Sequence, residues 1–177
     1  MTKLQVLKYN LATLNHVNMR LENGETLHDI VSNSSVIHIF GAGLNPEKPA
    51  HTAVKELSDR GWAIAPIHPR DACATINGFP IRPKLDSGIV AEIIVLFLAP
   101  ERAREVVRSL IINHSQDDFP LIWFQHGAED EDSFCALDEF GANYVANDCI
   151  VVNSNENDLK CENSILPQTW CLQVSSE

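Results

Sequence analysis

The sequence predicts a three-layer α/β/α domain on a five-stranded, mainly parallel sheet in the order 3-2-1-4-5. Three observations carry that expectation. Short apolar, β-branched runs recur along the chain and alternate with segments whose apolar residues fall at helical spacing, as parallel crossovers require. Most of the runs are continuous rather than alternating, the pattern of strands buried on both faces. The first run, Val36-Ile37-His38-Ile39-Phe40, passes directly into a glycine turn, Gly41-Ala42-Gly43, and then into a helix.

Residues 1–25 read as an N-terminal extension. Leu4, Val6 and Tyr9 hint at alternation, and Glu22-Asn23-Gly24-Glu25 has turn composition. A peripheral strand or hairpin, or an arm for homodimerisation, is the expectation there. Thr26 to Ser32 is expected as a short helix with Thr26 as N-cap and Leu27, Ile30 and Val31 facing inward. After the first strand and its turn, Pro49 suits the first helical position. Ala53, Val54 and Leu57 share one face of this helix, Lys55, Glu56 and Asp59 the other, and Gly61 is the expected C′ stop. Trp62 to Ile67 is the second strand, closed by His68-Pro69-Arg70.

Turn formers then crowd the chain through Asn77-Gly78-Phe79-Pro80 and Arg82-Pro83. Ala91 to Leu98 is the third strand, and a helix runs from Pro100 to about His114 with Ala103, Val106, Val107, Leu110 and Ile111 in register. Pro120 to Gln125 makes the fourth strand, ending at His126-Gly127, and Asp132 to Phe140 the next helix, stopped by Gly141. The fifth strand lies between Tyr144 and Val152, with Cys149 to Val152 as its expected core. Residues 26–152 thus read as one Rossmann-like domain and 153–177 as a C-terminal tail, in which Thr169 to Val174 suits an added edge strand.

Composition narrows the function. Among 177 residues, 45% are apolar and 21% charged, enough for one domain with a full core. A net charge of −11 without a basic run speaks against nucleic acid and anionic membranes, but not against a small anionic ligand held by a few local cations. The longest apolar run, Ile89 to Pro100, is broken by Glu92 and too short to span a bilayer; the first residues carry no leader pattern. Five cysteines show no zinc spacing, which suits free thiols in a reducing cytoplasm.

The glycine turn is the candidate site, because unpaired amides and a helix N-terminus converge where the first strand ends. Gly41-x-Gly43 alone is also compatible with a tight turn that holds no ligand. A dinucleotide fingerprint would place its third glycine at Pro46 and an acidic ribose partner near the end of the second strand. His68-Pro69-Arg70 stands there instead, with no carboxylate until Asp71. NAD is thereby disfavoured and a phosphorylated ribose favoured, meaning NADP or coenzyme A.

Other features have structural readings beside functional ones. Lys48 and Arg70 suit phosphate contacts or plain solvation. His68 suits a donor, a base or a turn residue. His126 lacks a carboxylate or nucleophile neighbour, and Cys149, with nothing basic beside it, suits an inert core thiol. Glu129-Asp130-Glu131-Asp132 supplies negative charge to a helix N-terminus rather than a metal site.

Four segments together resemble the stand-alone CoA-binding domain family, related in fold to the α-subunit nucleotide domain of succinyl-CoA synthetase. They are Gly41-Ala42-Gly43-Leu44-Asn45-Pro46-Glu47-Lys48-Pro49-Ala50, the strand end Gly61-Trp62 through Pro66-Ile67-His68-Pro69-Arg70, Trp123-Phe124-Gln125-His126-Gly127, and Asn147-Asp148-Cys149-Ile150. The chain departs from the family pattern at Gly43 and Ala50, where the family has serines, at His68 for asparagine and at Asp148 for arginine.

The resemblance implies that the amides of Gly41 to Asn45 and the helix start at Pro49, Ala50 and His51 cradle a pyrophosphate. Lys48 and Arg70 would meet phosphate charge beside His68 and Pro69, and Phe97 and Leu98 would wall the adenine or pantetheine. Gln125, His126 and Gly127 would line the opening between strands one and four. The implied function is binding of CoA or acyl-CoA without evident catalytic machinery. Two alternatives stand: an NADP-binding oxidoreductase-like protein, and a regulatory or structural protein with a vestigial pocket. The short stretch after the fifth strand and the lack of a Tyr-x-x-x-Lys arrangement weigh against the oxidoreductase.

Overall fold

A computed structural model describes residues 18–20 and 26–163. The chain enters with strand β1 (Asn18–Arg20) and helix α1 (Leu27–Asn33). Thr26 and Asp29 cap α1 reciprocally: the Thr26 hydroxyl accepts the Asp29 amide at 3.1 Å, and the Asp29 carboxylate accepts the Thr26 amide at 3.1 Å. Strand β2 (Val36–Phe40), helix α2 (Pro49–Ser58) and strand β3 (Ala63–Ile67) form the expected βαβ unit, with Pro49 in the first turn of α2. Helix α2 ends one residue earlier than the C′ role for Gly61 requires; Asp59 is the C-cap and Gly61, at φ +99°, makes the sharp entry into β3.

The next segment contains no helix. Its strands β4 (Thr75–Ile76) and β5 (Phe79–Pro80) form a hairpin through Asn77 and Gly78, both at positive φ, as a two-residue primed turn demands. Strand β6 (Ile93–Leu96), helix α3 (Pro100–Asn113), strand β7 (Leu121–Phe124), helix α4 (Glu131–Phe140), strand β8 (Tyr144–Ala146) and helix α5 (Ile150–Glu156) complete the described chain.

The sheet order is β1-β8-β7-β6-β2-β3, parallel throughout except for β1, which runs antiparallel to β8. The α/β class and the five parallel strands are as expected, but the strand order is 2-1-3-4-5 rather than 3-2-1-4-5. The third predicted strand, β6, sits beside the first, not outside the second. All four residues of β6 are fully buried, which an edge position cannot provide. The edge of β3 is instead paired by the hairpin segment: Arg82 forms a parallel bridge with Ile67, its amide donating to Pro66 O and its carbonyl accepting from the His68 amide.

The fifth strand is Tyr144–Ala146, not Cys149 to Val152, which begins α5. Both segments are apolar and β-branched enough for a strand. Asn147, at φ +60°, turns the chain between them, and the fully buried Ile150 and Ser154, four residues apart, face the core as a helix. Within the N-terminal extension the described residues form β1; Leu4, Val6 and Tyr9, on which the expectation of a peripheral strand rests, the Glu22–Glu25 turn and Thr169 to Val174 lie outside the described residues.

Alternate strand residues feed two cores. Ile37, Ile39, Ile93, Val95, Trp123 and Val145 meet Val31, α2 and Ile150 on one face. Ile94, Leu96, Ile122 and Phe124 meet α3 and α4 on the other. Past α5, Leu159 and Cys161 still join the first core. No helix among the described residues is long and apolar enough to cross a membrane.

Candidate functional site

The parallel register brings Phe40, Ile67, Leu96 and Phe124 into one row. The residues that follow them, in sheet order His68, Gly41, Phe97 and Gln125, therefore line the carboxyl end of the sheet, where open α/β folds place ligands. The chain reverses its direction of sheet growth between β2 and β6. This corrects the expectation that strands one and four flank the switch point: β7 is two strand spacings from β2, about 9–10 Å.

At this edge a cavity of about 240 Å³ is lined by Gly41, Gly43, Asn45, Lys48, His68, Arg70 and Asp71. Sites for drug-sized ligands run to roughly 300–1,000 Å³, so this one has room for a diphosphate rather than a whole nucleotide. The predicted loop and the predicted strand end meet in it. Leu44, Pro49, Pro69 and His51 border the same loop, while Ala42 and Ala50 are buried beneath it and pack in the core. Phe97, Leu98, Gln125, His126 and Gly127 do not line the cavity.

The turn is shaped from within. Gly41, at φ +91°, donates its amide to Ile67 O at 2.9 Å, and a side chain there would overlap the Phe97 carbonyl oxygen. The Gly43 amide donates to Gly41 O at 3.0 Å, and the His51 Nδ1 meets Gly43 O at 2.8 Å from the first turn of α2. That contact makes Nδ1 the protonated ring nitrogen of His51 when the ring is neutral. The Leu44 amide donates to Asp71 Oδ2 at 2.8 Å. Three amides expected to face a pyrophosphate are thus bonded within the chain.

Lys48 is the N-cap of α2 and makes no side-chain cap bond. Among the described residues neither Lys48 nor Arg70 has an ion-pair partner, so the cavity presents two cations at a helix N-terminus, with the Asp71 carboxylate in the same lining. His68 Nδ1 lies 3.2 Å from Asp71 Oδ2 without hydrogen-bond geometry, so that buried nitrogen has no hydrogen-bond partner among the described residues. Gln125, 4% exposed, likewise has a buried Nε2 without a partner. An orphan donor at a strand end is a group a ligand can satisfy.

His126 is exposed, 3.9 Å from Glu129, whose carboxylate accepts the Gly127 amide at 2.6 Å. Asp148, where the resembled family has arginine, is built into the fold. Its carbonyl accepts Trp123 Nε1 at 3.0 Å, its carboxylate accepts Asn153 Nδ2 at 2.6 Å, and burial raises its pKa. Cys149 is half-buried. No group of His, Cys, Asp and Glu suited to a metal occurs among the described residues. Asp71 stands in the sequence reading only as a carboxylate too late for a ribose; its contact with the glycine turn depends on the fold and has no signal in the spacing.

A doubly wound, mainly parallel α/β domain with a glycine turn and a helix start at its switch point is of the Rossmann-like class. More particularly, a family model described as a CoA binding domain matches residues 35–155, and the chain belongs to that family. The uncharacterised protein YneT of Bacillus subtilis is 24% identical over 127 residues, 71% of this chain and 90% of that protein. A hypothetical protein from Pyrococcus horikoshii OT3 superposes with a TM-score of 0.64 at 26% identity, over 78% of this chain and 96% of that one. A Thermus thermophilus structure gives a TM-score of 0.66 at 24% identity, over 73% and 95%; that likeness concerns the fold.

Proposed function

We propose that this protein is a cytoplasmic module that binds coenzyme A or an acyl-CoA, its diphosphate at the glycine turn, without catalysing a reaction on it. The observation that carries the reading is the cavity joining Gly41, Gly43, Lys48, His68 and Arg70 in a member of the CoA binding domain family. Lys48 and Arg70 supply positive charge to the phosphates, the start of α2 adds its dipole, and Gln125 offers an amide donor further along the same edge.

Thermal unfolding with CoA, dephospho-CoA, NADP and NAD tests this. Ligand at 100 times its dissociation constant stabilises by about 2.7 kcal/mol, a shift of several degrees at this chain length. Stabilisation by CoA, and less by dephospho-CoA, is the expected result. Stabilisation by NADP alone contradicts it and favours an oxidoreductase-like ligand; no response to any of the four favours a vestigial pocket.

A further inference from the structure

Asp71 stands where the site calls for an anion from outside. Its Oδ2 accepts the Leu44 amide at 2.8 Å, inside the cavity that also holds Lys48 and Arg70. Gly43 makes this possible: a Cβ there would overlap Asp71 Oδ2 and press on the His68 ring at 3.0 and 3.1 Å. The missing side chain at 43 and the carboxylate at 71 therefore fit one another, while neither cation of the cavity forms an ion pair with a described residue.

We infer that Asp71 is a specificity-determining residue, a resident carboxylate that holds the Leu44 amide until a ligand's phosphate displaces it. The inference rests on the reading of the turn as a phosphate site. A carboxylate and a phosphate cannot share one amide, and two like charges a few ångströms apart repel. Every phosphate ligand is weakened by that exchange. A diphosphate, with more charge to offer Lys48 and Arg70, succeeds where a carboxylate ligand does not.

The test is calorimetric titration of the wild-type protein, Asp71→Asn and Asp71→Ala with CoA and with inorganic pyrophosphate. Asn keeps an oxygen for the Leu44 amide but removes the charge; Ala removes both, and thermal unfolding confirms that each variant is folded. Both variants are expected to bind CoA and pyrophosphate about tenfold more tightly than wild type, the size of effect expected from removing one near charge. Unchanged or weaker binding by both variants, with wild type still binding, overturns the assignment and leaves Asp71 as a brace of the loop. Binding by none of the three proteins overturns both this inference and the CoA reading beneath it.

Discussion

The carbonyl oxygen of Phe97 lies so close to Gly41 that no side chain fits between the ends of β2 and β6. Because Gly41 also sits at φ +91°, the fold itself demands this glycine, whatever the ligand does. Gly41→Ala is expected to cost about 2–4 kcal/mol, since the obstacle is rigid backbone. Gly43→Ala, which meets only the tips of Asp71 and His68, should cost no more than about 1 kcal/mol. Urea denaturation of the two variants checks the ranking, and equal losses would contradict it.

Arg104 anchors the start of α4. Its Nε lies 3.1 and 3.0 Å from the two oxygens of Asp130, which also caps the helix by accepting Ser133 N at 2.8 Å and Ser133 Oγ at 2.7 Å. The guanidinium holds the Asp130 carboxyl well below the usual carboxylate range. A carboxyl with a depressed folded pKa adds stability above its unfolded value, near 3.9, and that stability is lost as pH falls through the folded range. Asp130→Ala should cost about 2–3 kcal/mol at neutral pH through the lost cap and the stranded Ser133 donors. The stability of Asp130→Asn should fall less steeply than that of wild type below about pH 4.

His38 is buried in β2, between β6 and β3, and its Nδ1 has no hydrogen-bond partner among the described residues. Burial, with the nearby Arg82 charge, lowers its pKa against the opposing pull of Glu92 and Asp86. The folded protein thus binds the proton less well than the unfolded chain, and His38 subtracts stability as pH falls below about 6.5. His38→Leu should be neutral to mildly stabilising at pH 7 and should flatten the loss between about pH 6.5 and 5. Urea unfolding at several pH values reads this directly; an unchanged slope would contradict it.

Among the described residues Lys48 and Arg70 have no ion-pair partner to lose. Replacing either with Ala should leave the unfolding midpoint within about 1–2 °C of wild type, as for surface residues generally. Each change should weaken CoA binding about fivefold to tenfold, less so at high salt. Titrations at two salt concentrations separate this from a loss of fold.

Much of this architecture was legible in the residues. Helix caps at Thr26, the proline start of α2 and the glycine stop after Phe140 are local chemistry, and the structure carries each of them. Strand order was not legible, because the choice between the two sides of β2 depends on what covers each edge, and the covering segment around Arg82 has no strand pattern of its own. The fifth strand misled for a similar reason: Val145 and Val151 have the same propensity, and only tertiary packing separates strand from helix. Gly41, Gly43, Lys48, His68 and Arg70 line one cavity, whereas Gln125 lies further along the edge and Asp71 enters the cavity without a signal in the spacing. A side chain's reach into a turn 27 residues earlier follows from register, not from spacing.

The most direct test of CoA binding at the glycine turn is a titration of the nitrogen-15 labelled protein with CoA, followed by amide chemical shifts. Shifts concentrated at Gly41 to Asn45, His51 and His68 to Asp71, with smaller ones at Gln125 to Gly127, are the predicted result. No shifts at roughly millimolar CoA, or shifts confined to other surfaces, would contradict the account.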